Sequence, residues 1–475
     1  MNLDQSKLKL MFQGSEDVKF IEFTFDYNIK IMCIYCKGLC DKEFLMDEFI
    51  PTLEKHISEK LNKSNILKGY NKVNYQQLSK QEEIIEKVFS GELILYIQHE
   101  KNVYSFELGD PPNRQPEETS AEVTVRGPRD GFVESIDINV ALIRRRLKTS
   151  SLSFETFKVG KRSLTQVGLL YFKDIAHSET INHIQSLIEK IDIDALVNNN
   201  QLEELLDETP FRVLPMMHYT GRPDFAIQSL IEGRFLILID GSPIALIGPV
   251  NLPFLLKTGE DYEYPWLFNS FERLLRIVGM IIGITLPGFW VALAAFHPDQ
   301  IPLVFLSSAS QARQGIPLPT PVEALILVLL FDLLKEAGLR LPFSVGQILG
   351  VVGGLIIGDA AIRAGITSPA NVVMIATSTV ATFTISNQSL SGIVSLIRIF
   401  ILIISSFLGL FGFFVATFFV LIHIANLRSF NLPYLAPLAP FTPKDIVNSL
   451  FHMPEKLKKT RFKMLRVRDS KRGGE

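Results

Sequence analysis

Cys33, Cys36 and Cys40 most invite a chemical reading, because Cys33-Ile-Tyr-Cys36 has the C-x-x-C spacing of a redox dithiol. The set is odd, and three thiols within eight residues fall short both of a disulfide framework and of the four ligands a structural zinc takes. The pair also lies in Ile29-Lys-Ile-Met-Cys-Ile-Tyr35, which reads as a strand and not as the strand-to-helix turn that activates a thiol. We read all three as strand residues in a reducing cytoplasm. The first half shows no Gly-rich phosphate loop, H-E-x-x-H pair or serine elbow, so no enzyme, metal or cofactor is expected. Forty-eight Lys and Arg against 50 Asp and Glu leave a net charge of −2, which excludes a generic nucleic-acid binder.

The spacing with most consequence belongs to glycine. Gly346, Gly350, Gly354 and Gly358 recur every four residues in Val345-Gly-Gln-Ile-Leu-Gly-Val-Val-Gly-Gly-Leu-Ile-Ile-Gly-Asp359. This overlapping G-x-x-x-G stripe lets helices meet backbone to backbone in lipid, which offers no hydrophobic drive between them. Val345, Ile348, Val352 and Leu355 fall on the opposite face, with Asp359 and Arg363 at its end. Two readings stay open: close packing inside one subunit with Asp359 and Arg363 paired at i, i+4, or an oligomeric ring. In a ring, the apolar side chains would form a dewetting constriction and Asp359 a charged mouth.

The elements that must position this helix divide sharply by composition. Only 10 charged residues occur among the 149 from Ile277 to Ala425, against 73 among the 276 before them. Ile277 to Phe296 is a 20-residue uncharged run, long enough to cross about 30 Å of hydrocarbon. Val345 to Ala361, Asn371 to Ile385 and Ile399 to Ala425 supply three further spans. Val322 to Leu339 carries Glu323, Asp332, Lys335 and Glu336, so it either lies at the interface, packs in a partner, or makes a fifth span. With four spans, Arg273, Arg276, Arg363 and Arg428 fall on one side, the cytoplasm. Nine Lys and Arg from Lys456 to Arg472 fit a juxtamembrane anchor near anionic lipid. Met1 to Lys19 lacks the apolar core of a secretory signal, so the first half is expected on the side where it is made.

That first half reads as a duplication. Phe89-Ser-Gly-Glu-Leu-Ile-Leu-Tyr-Ile97 and Ile231-Glu-Gly-Arg-Phe-Leu-Ile-Leu-Ile239 are the same construction, a glycine opening a strand. A strand and an amphipathic helix precede each. The expected fold is therefore α+β: two related α/β subdomains, 1–115 and 116–265, then an all-α transmembrane domain of four to five helices, 266–428. A Pro-containing strap and basic tail, 429–475, complete the chain.

Several stretches resemble the A-subunit family of bacterial spore nutrient germinant receptors, the GerA type, over about 120–441. They include Val125-Arg-Gly-Pro-Arg-Asp-Gly-Phe-Val-Glu134, Asn139-Val-Ala-Leu-Ile-Arg-Arg-Arg-Leu147, Arg222-Pro-Asp224, Phe296-His-Pro298, Lys335-Glu-Ala-Gly-Leu-Arg-Leu-Pro342 and Ser429-Phe-Asn-Leu-Pro-Tyr434. The family usually has Glu at Gly221, Gly at Asn431 and a proline near Ser386. The resemblance implies a multi-pass protein of the spore inner membrane, and the Arg placement with the missing signal puts both termini on its cytoplasmic, spore-core side. It implies assembly with a transporter-like B subunit and a lipoprotein C subunit, the small nutrient germinant being bound mainly by B. It also implies a homo-oligomer, a pentamer, that forms a nutrient-opened cation channel.

The family motifs also have plain readings. Gly127-Pro128 and Asp130-Gly131 are turn dipeptides, and Arg144-Arg-Arg146 suits a solvated helix face. A coupling role for Arg126, Arg129, Asp130, Glu134, Arg144, Arg145, Arg222 and Asp224 is preferred, because an Arg fork pairs bidentately with carboxylates. A secondary transporter and a membrane-anchored scaffold are the alternatives. The transporter is disfavoured because ionisable residues such as Arg398 are placed near span ends rather than in mid-bilayer.

Overall fold

The computed structural model describes residues 4–25, 29–58, 67, 73–109, 127–207, 213–339, 354–451 and 453–472. They form two compact units. One comprises Met1–Pro210, Met216–Pro249 and Lys458–Glu475, and the other Phe211–Pro215 and Val250–Leu457.

The first unit contains two five-stranded antiparallel sheets. The strands are β1 (Val18–Phe25), β2 (Ile29–Cys36), β3 (Tyr75–Leu78), β4 (Leu93–Ile97), β5 (Asn102–Phe106), β6 (Leu152–Val159), β7 (Thr165–Phe172), β8 (His218–Thr220), β9 (Phe235–Ile239) and β10 (Ala245–Gly248). One sheet runs β1-β2-β4-β5-β3 and the other β6-β7-β9-β10-β8, so each places its five strands in the same order. The helices repeat as well. After the second strand come α2 (Lys42–Phe44), a π turn and α3 (Ile50–Ser58) in one half and α6 (Ser178–Glu189) in the other, with α7 (Asn199–Leu206) added. Before the fourth strand come α4 (Gln81–Val88) and α8 (Pro223–Glu232). Gly91 and Gly233 turn the chain from helix to strand at φ +94 and +101, which glycine adopts without the Cβ clash. β4 and β9 are buried on both faces, which is why they read as unbroken apolar runs. α1 (Gln5–Met11) packs on the first sheet, and α5 (Ile136–Arg146) supplies the buried Ile136, Val140 and Ile143.

All three cysteines are buried free thiols. Burial pushes their pKa values up, that of Cys40 to about 12, in keeping with strand and turn residues and not with a reactive dithiol. The basic tail is not a bare anchor. Arg468 N donates to Ile175 O at 2.9 Å and Arg461 Nε to Ile231 O at 2.9 Å, and Val467 occupies the space a side chain at Gly233 would need.

The second unit begins with the short helix α9 (Leu252–Leu255). Its helices are α10 (Trp266–Phe296), α11 (Leu303–Ala312), α12 (Thr320–Leu339), α13 (Gly354–Arg363), α14 (Pro369–Thr382), α15 (Gln388–Asn426) and α16 (Pro443–Leu450). By length and composition α10 and α15 qualify as membrane-crossing helices among the described residues, fewer than the four to five expected. α14, at 14 residues, reaches only about 21 Å. Most of the glycine helix, including Val345, Gly346, Ile348, Gly350 and Val352, lies outside the described residues, as does Arg126.

α15 departs most from the expected single span. Gly409 sits at φ +62, ψ −143 inside it, and the chain folds back there. Phe413 and Ala416 pack with Ile401 and with Ala292 of α10, and a side chain at Gly412 would meet Ile404 O at 2.6 Å. The result is a hairpin of two arms, residues 388–408 and 410–426. The first arm runs alongside α10 in the same direction, with Val394 by Gly283, Ile401 by Gly288 and Gly409 by Phe296. α14 runs the other way, from Asn371 at Trp290 to Thr382 at Gly283. Ser386 lies in the turn between α14 and α15. Asn431 sits at φ +69, which Asn tolerates better than most side chains.

Candidate functional site

Charge is buried in the apolar unit. Glu323 near the start of α12 accepts from Asn371 Nδ2 (2.8 Å), Ser368 N (3.0 Å) and Thr367 Oγ1 (3.3 Å), with Arg313 Nη2 at 3.5 Å. Asn371 Oδ1 in turn accepts from Trp290 Nε1 at 2.6 Å, so the carboxylate fastens the start of α14 to α10 and α12 together. Two and a half turns along α12, Asp332 Oδ1 accepts from Arg398 Nη2 at 2.6 Å and from Ser395 Oγ at 3.4 Å. Arg398 Nη1 reaches Thr379 Oγ1 at 3.4 Å, and Lys335 Nζ donates to Ser391 Oγ at 2.6 Å. Arg398 is fully buried, mid-way along the first arm of α15, and not at a span end as the sequence suggested. Removing either partner of such a pair leaves an uncompensated charge at a cost of about 3–5 kcal/mol. The pairing also explains how α12 packs Ala324, Leu327 and Val328 against Val291, Ile375 and Leu402 despite its four charges.

A second buried pair guards the start of α10. Asp261 accepts from Arg273 Nε (2.8 Å) and Arg276 Nη1 (2.8 Å), and Arg276 also donates to Leu256 O at 3.1 Å. Burial pushes the Asp261 carboxyl up, but the two guanidiniums together outweigh it and hold it below the usual range. Nearby, Val250 N donates to Ser429 Oγ, Leu252 N to Tyr434 O and Asn251 Nδ2 to Ala436 O, so the Pro-rich strap is stitched to the segment that leads into α10.

The expected coupling residues separate. Arg144 is buried and forms the bidentate fork anticipated for this cluster, but with Asp17 (Nε 2.7 Å, Nη2 3.0 Å) and not with Asp130 or Glu134. Phe89 lies under its guanidinium, 4.3 Å from ring centroid to carbon. Asp130 is taken by Arg146 at 2.6 Å, while Arg129, Glu134 and Arg145 are exposed. Arg222 grips Asp224 at 2.7 and 3.1 Å across the first turn of α8. Asp359 and Arg363 pair at 2.8 Å on the exposed face of α13, as the packing reading expected. α13 ends just before Ser368, toward the Trp290 end of α10, so Arg363 does not group with Arg273 and Arg276. Gly358 has Val372 beside it, and Gly354 and Leu355 open α13. Among the described residues no three His, Cys, Asp or Glu side chains gather to hold a metal ion.

The sequence profile of the Bacillus/Clostridium GerA spore germination proteins matches residues 6–464. The chain belongs to this family. This GerA-family chain is 43% identical over 479 residues to spore germination protein XA of Bacillus anthracis, covering 99% of this chain and 97% of that one. It is 32% identical to spore germination protein B1 of Bacillus subtilis (strain 168), over 97% of this chain and 95% of that one. The crystal structure of the N-terminal domain of the A subunit of the Bacillus megaterium spore germinant receptor GerK3 is 26% identical, with a TM-score of 0.38, covering 51% of this chain and 92% of that chain.

Sequence reasoning missed the buried network of the GerA-family chain, reading Asp332 and Lys335 only as interruptions of an apolar helix. The available signal was the order of charges: acids at 323 and 332 on one helix and a lone Arg398 in an otherwise uncharged 39-residue one. The Asp17–Arg144 pair, 127 residues apart, carried no local signal at all.

Proposed function

We propose that this GerA-family chain is the channel-forming A subunit of a nutrient germinant receptor in the spore inner membrane, with both termini on the core side. In this reading it is a homo-oligomer, a pentamer, that passes cations when a nutrient is bound, mainly by a transporter-like B subunit, with a lipoprotein C subunit completing the receptor. The observation that carries the reading is the four-residue glycine stripe opposite Val345, Ile348, Val352 and Leu355, in the segment that leads to the exposed Asp359–Arg363 pair. Small residues would pack neighbouring copies, the apolar face would form the constriction, and Asp359 would draw cations to its mouth. Four membrane segments, or five with α12, are part of the proposal, as is a coupling role for Arg126, Arg129, Asp130, Glu134, Arg144, Arg145, Arg222 and Asp224.

Conductance across reconstituted bilayers, with and without the partner subunits, tests the proposal. Val352→Ala should leak without nutrient, because a smaller collar lowers the dewetting barrier, and Val352→Phe should assemble but stay silent. A tight Val352→Ala, with leakage instead from a change at Val373, would move the pore to α14. The buried Glu323 and Arg398, with the partly buried Asp332 and Lys335, favour a second reading, a secondary transporter, in which ionisable groups at membrane depth bind a coupled ion. Saturable, stoichiometric flux in place of unitary conductance steps would select it.

A further inference from the structure

Asp332 has two possible cationic partners, and the structure shows one engaged. Its Oδ1 accepts from Arg398 of α15 at 2.6 Å, while Lys335, one turn further along its own helix, donates to Ser391 of α15 at 2.6 Å. Asp332 and Lys335 stand at i, i+3, a spacing at which side chains on one helix face meet. Both cations of α12 and α15 in this region are therefore committed to bonds between the two helices, and the same carboxylate can be satisfied within α12 if the helices part. That exchange would strip Arg398 of its carboxylate and leave it Ser395 Oγ and Thr379 Oγ1, each 3.4 Å from its guanidinium, so the paired state is the lower of the two. The Asp332 side chain is 23% exposed while Arg398 is sealed.

We propose that Asp332 is a two-position latch, paired with Arg398 in the closed receptor and with Lys335 in the open one. The inference deepens the channel reading and rests on it. α12 is the helix from which the chain continues into the glycine-bearing segment, so a bond from Asp332 to α15 restrains the element leading into the proposed constriction. A pair that only held the fold together would weaken it when any member is removed. A latch predicts opposite signs instead, because an equilibrium moves toward whichever state loses less. Arg398, Asp332 and Lys335 act here as positioning residues.

The test is cation flux from proteoliposomes holding the full receptor, titrated with nutrient. Arg398→Gln removes only the closed pair and should lower the half-maximal nutrient concentration by at least about fivefold, the small end of ordinary coupling between sites. Lys335→Gln removes the open ion pair at the lesser cost of the closed bond to the neutral Ser391 hydroxyl, and should raise it by at least about the same factor. Arg398→Lys should restore most of the native response. Shifts of the same sign, or an unmoved Lys335→Gln, overturn the latch even if Arg398→Gln yields no assembled protein, since Lys335 is only half-buried and its substitution leaves no sealed charge. If the unmutated receptor passes no cations at any nutrient concentration, the channel reading itself fails and the latch with it.

Discussion

Phe400 and Phe419 belong to one helical element, yet their ring centroids lie 6.1 Å apart. A straight helix would separate residues so far apart in sequence by about 28 Å. The contact exists because Gly409 reverses the chain, and the reversal sets the direction of everything after it in the second unit.

Nitroxide labels on Phe400→Cys and Phe419→Cys, after the three native cysteines are replaced, should therefore report a distance well below the roughly 28 Å of an unbroken helix. Gly409→Ala should cost about 1–3 kcal/mol, because its backbone is glycine territory and a Cβ would stand 3.0 Å from Phe296. Thermal unfolding in detergent reads the loss; an unchanged midpoint with a long label distance would remove the hairpin.

Asp17→Asn and Arg144→Met should each destabilise the first unit by about 3–5 kcal/mol, since each leaves a buried charge without its partner. The double variant should recover part of that, as two neutral groups need no desolvation. Urea midpoints of the two singles and the double form the cycle, and additive losses would refute the coupling.

His218 gives a pH dependence with a definite sign. Burial, with a smaller push from Arg234, lowers its pKa from 6.5 to about 3. The folded state therefore holds the ring neutral while the unfolded state takes a proton below about pH 6.5, so the unfolded chain binds more protons in that window. His218's contribution to stability is full above pH 6.5 and is lost as pH falls toward about 3. Between pH 7.5 and 5.5 the loss should be about 1.4 kcal/mol, and His218→Gln should flatten that part of the profile; an equally steep profile would assign it to carboxylates.

Impermeant thiol reagent applied outside should label a cysteine at Gln311 and not one at Lys471, both exposed positions. The reverse pattern would place both termini on the outer side.

Gly350→Leu and Gly354→Leu should break the oligomer on a detergent sizing column, with Ala milder at both sites, because a branched side chain holds apart helices that touch by backbone. Native size in the Leu variants would make the stripe an internal packing face.

The sequence alone determined the partition into a charged half and an apolar one, because each half must match its solvent. It also determined the duplicated sheets, because β4 and β9 are continuous apolar runs opened by a glycine and need no distant information to be recognised. The thiols were legible for the same reason, since a strand pattern surrounds them. Tertiary structure decided the rest. Periodicity cannot see a single-residue reversal, so residues 399–425 read as one span, and Gly409 became visible only through Phe413 and Ala416 lying against Ile401. Nor can it pair charges that lie on different helices. Asp332 interrupts one apolar run and Arg398 another, and only packing α12 against α15 in a medium where neither can stay unpaired brings them to 2.6 Å.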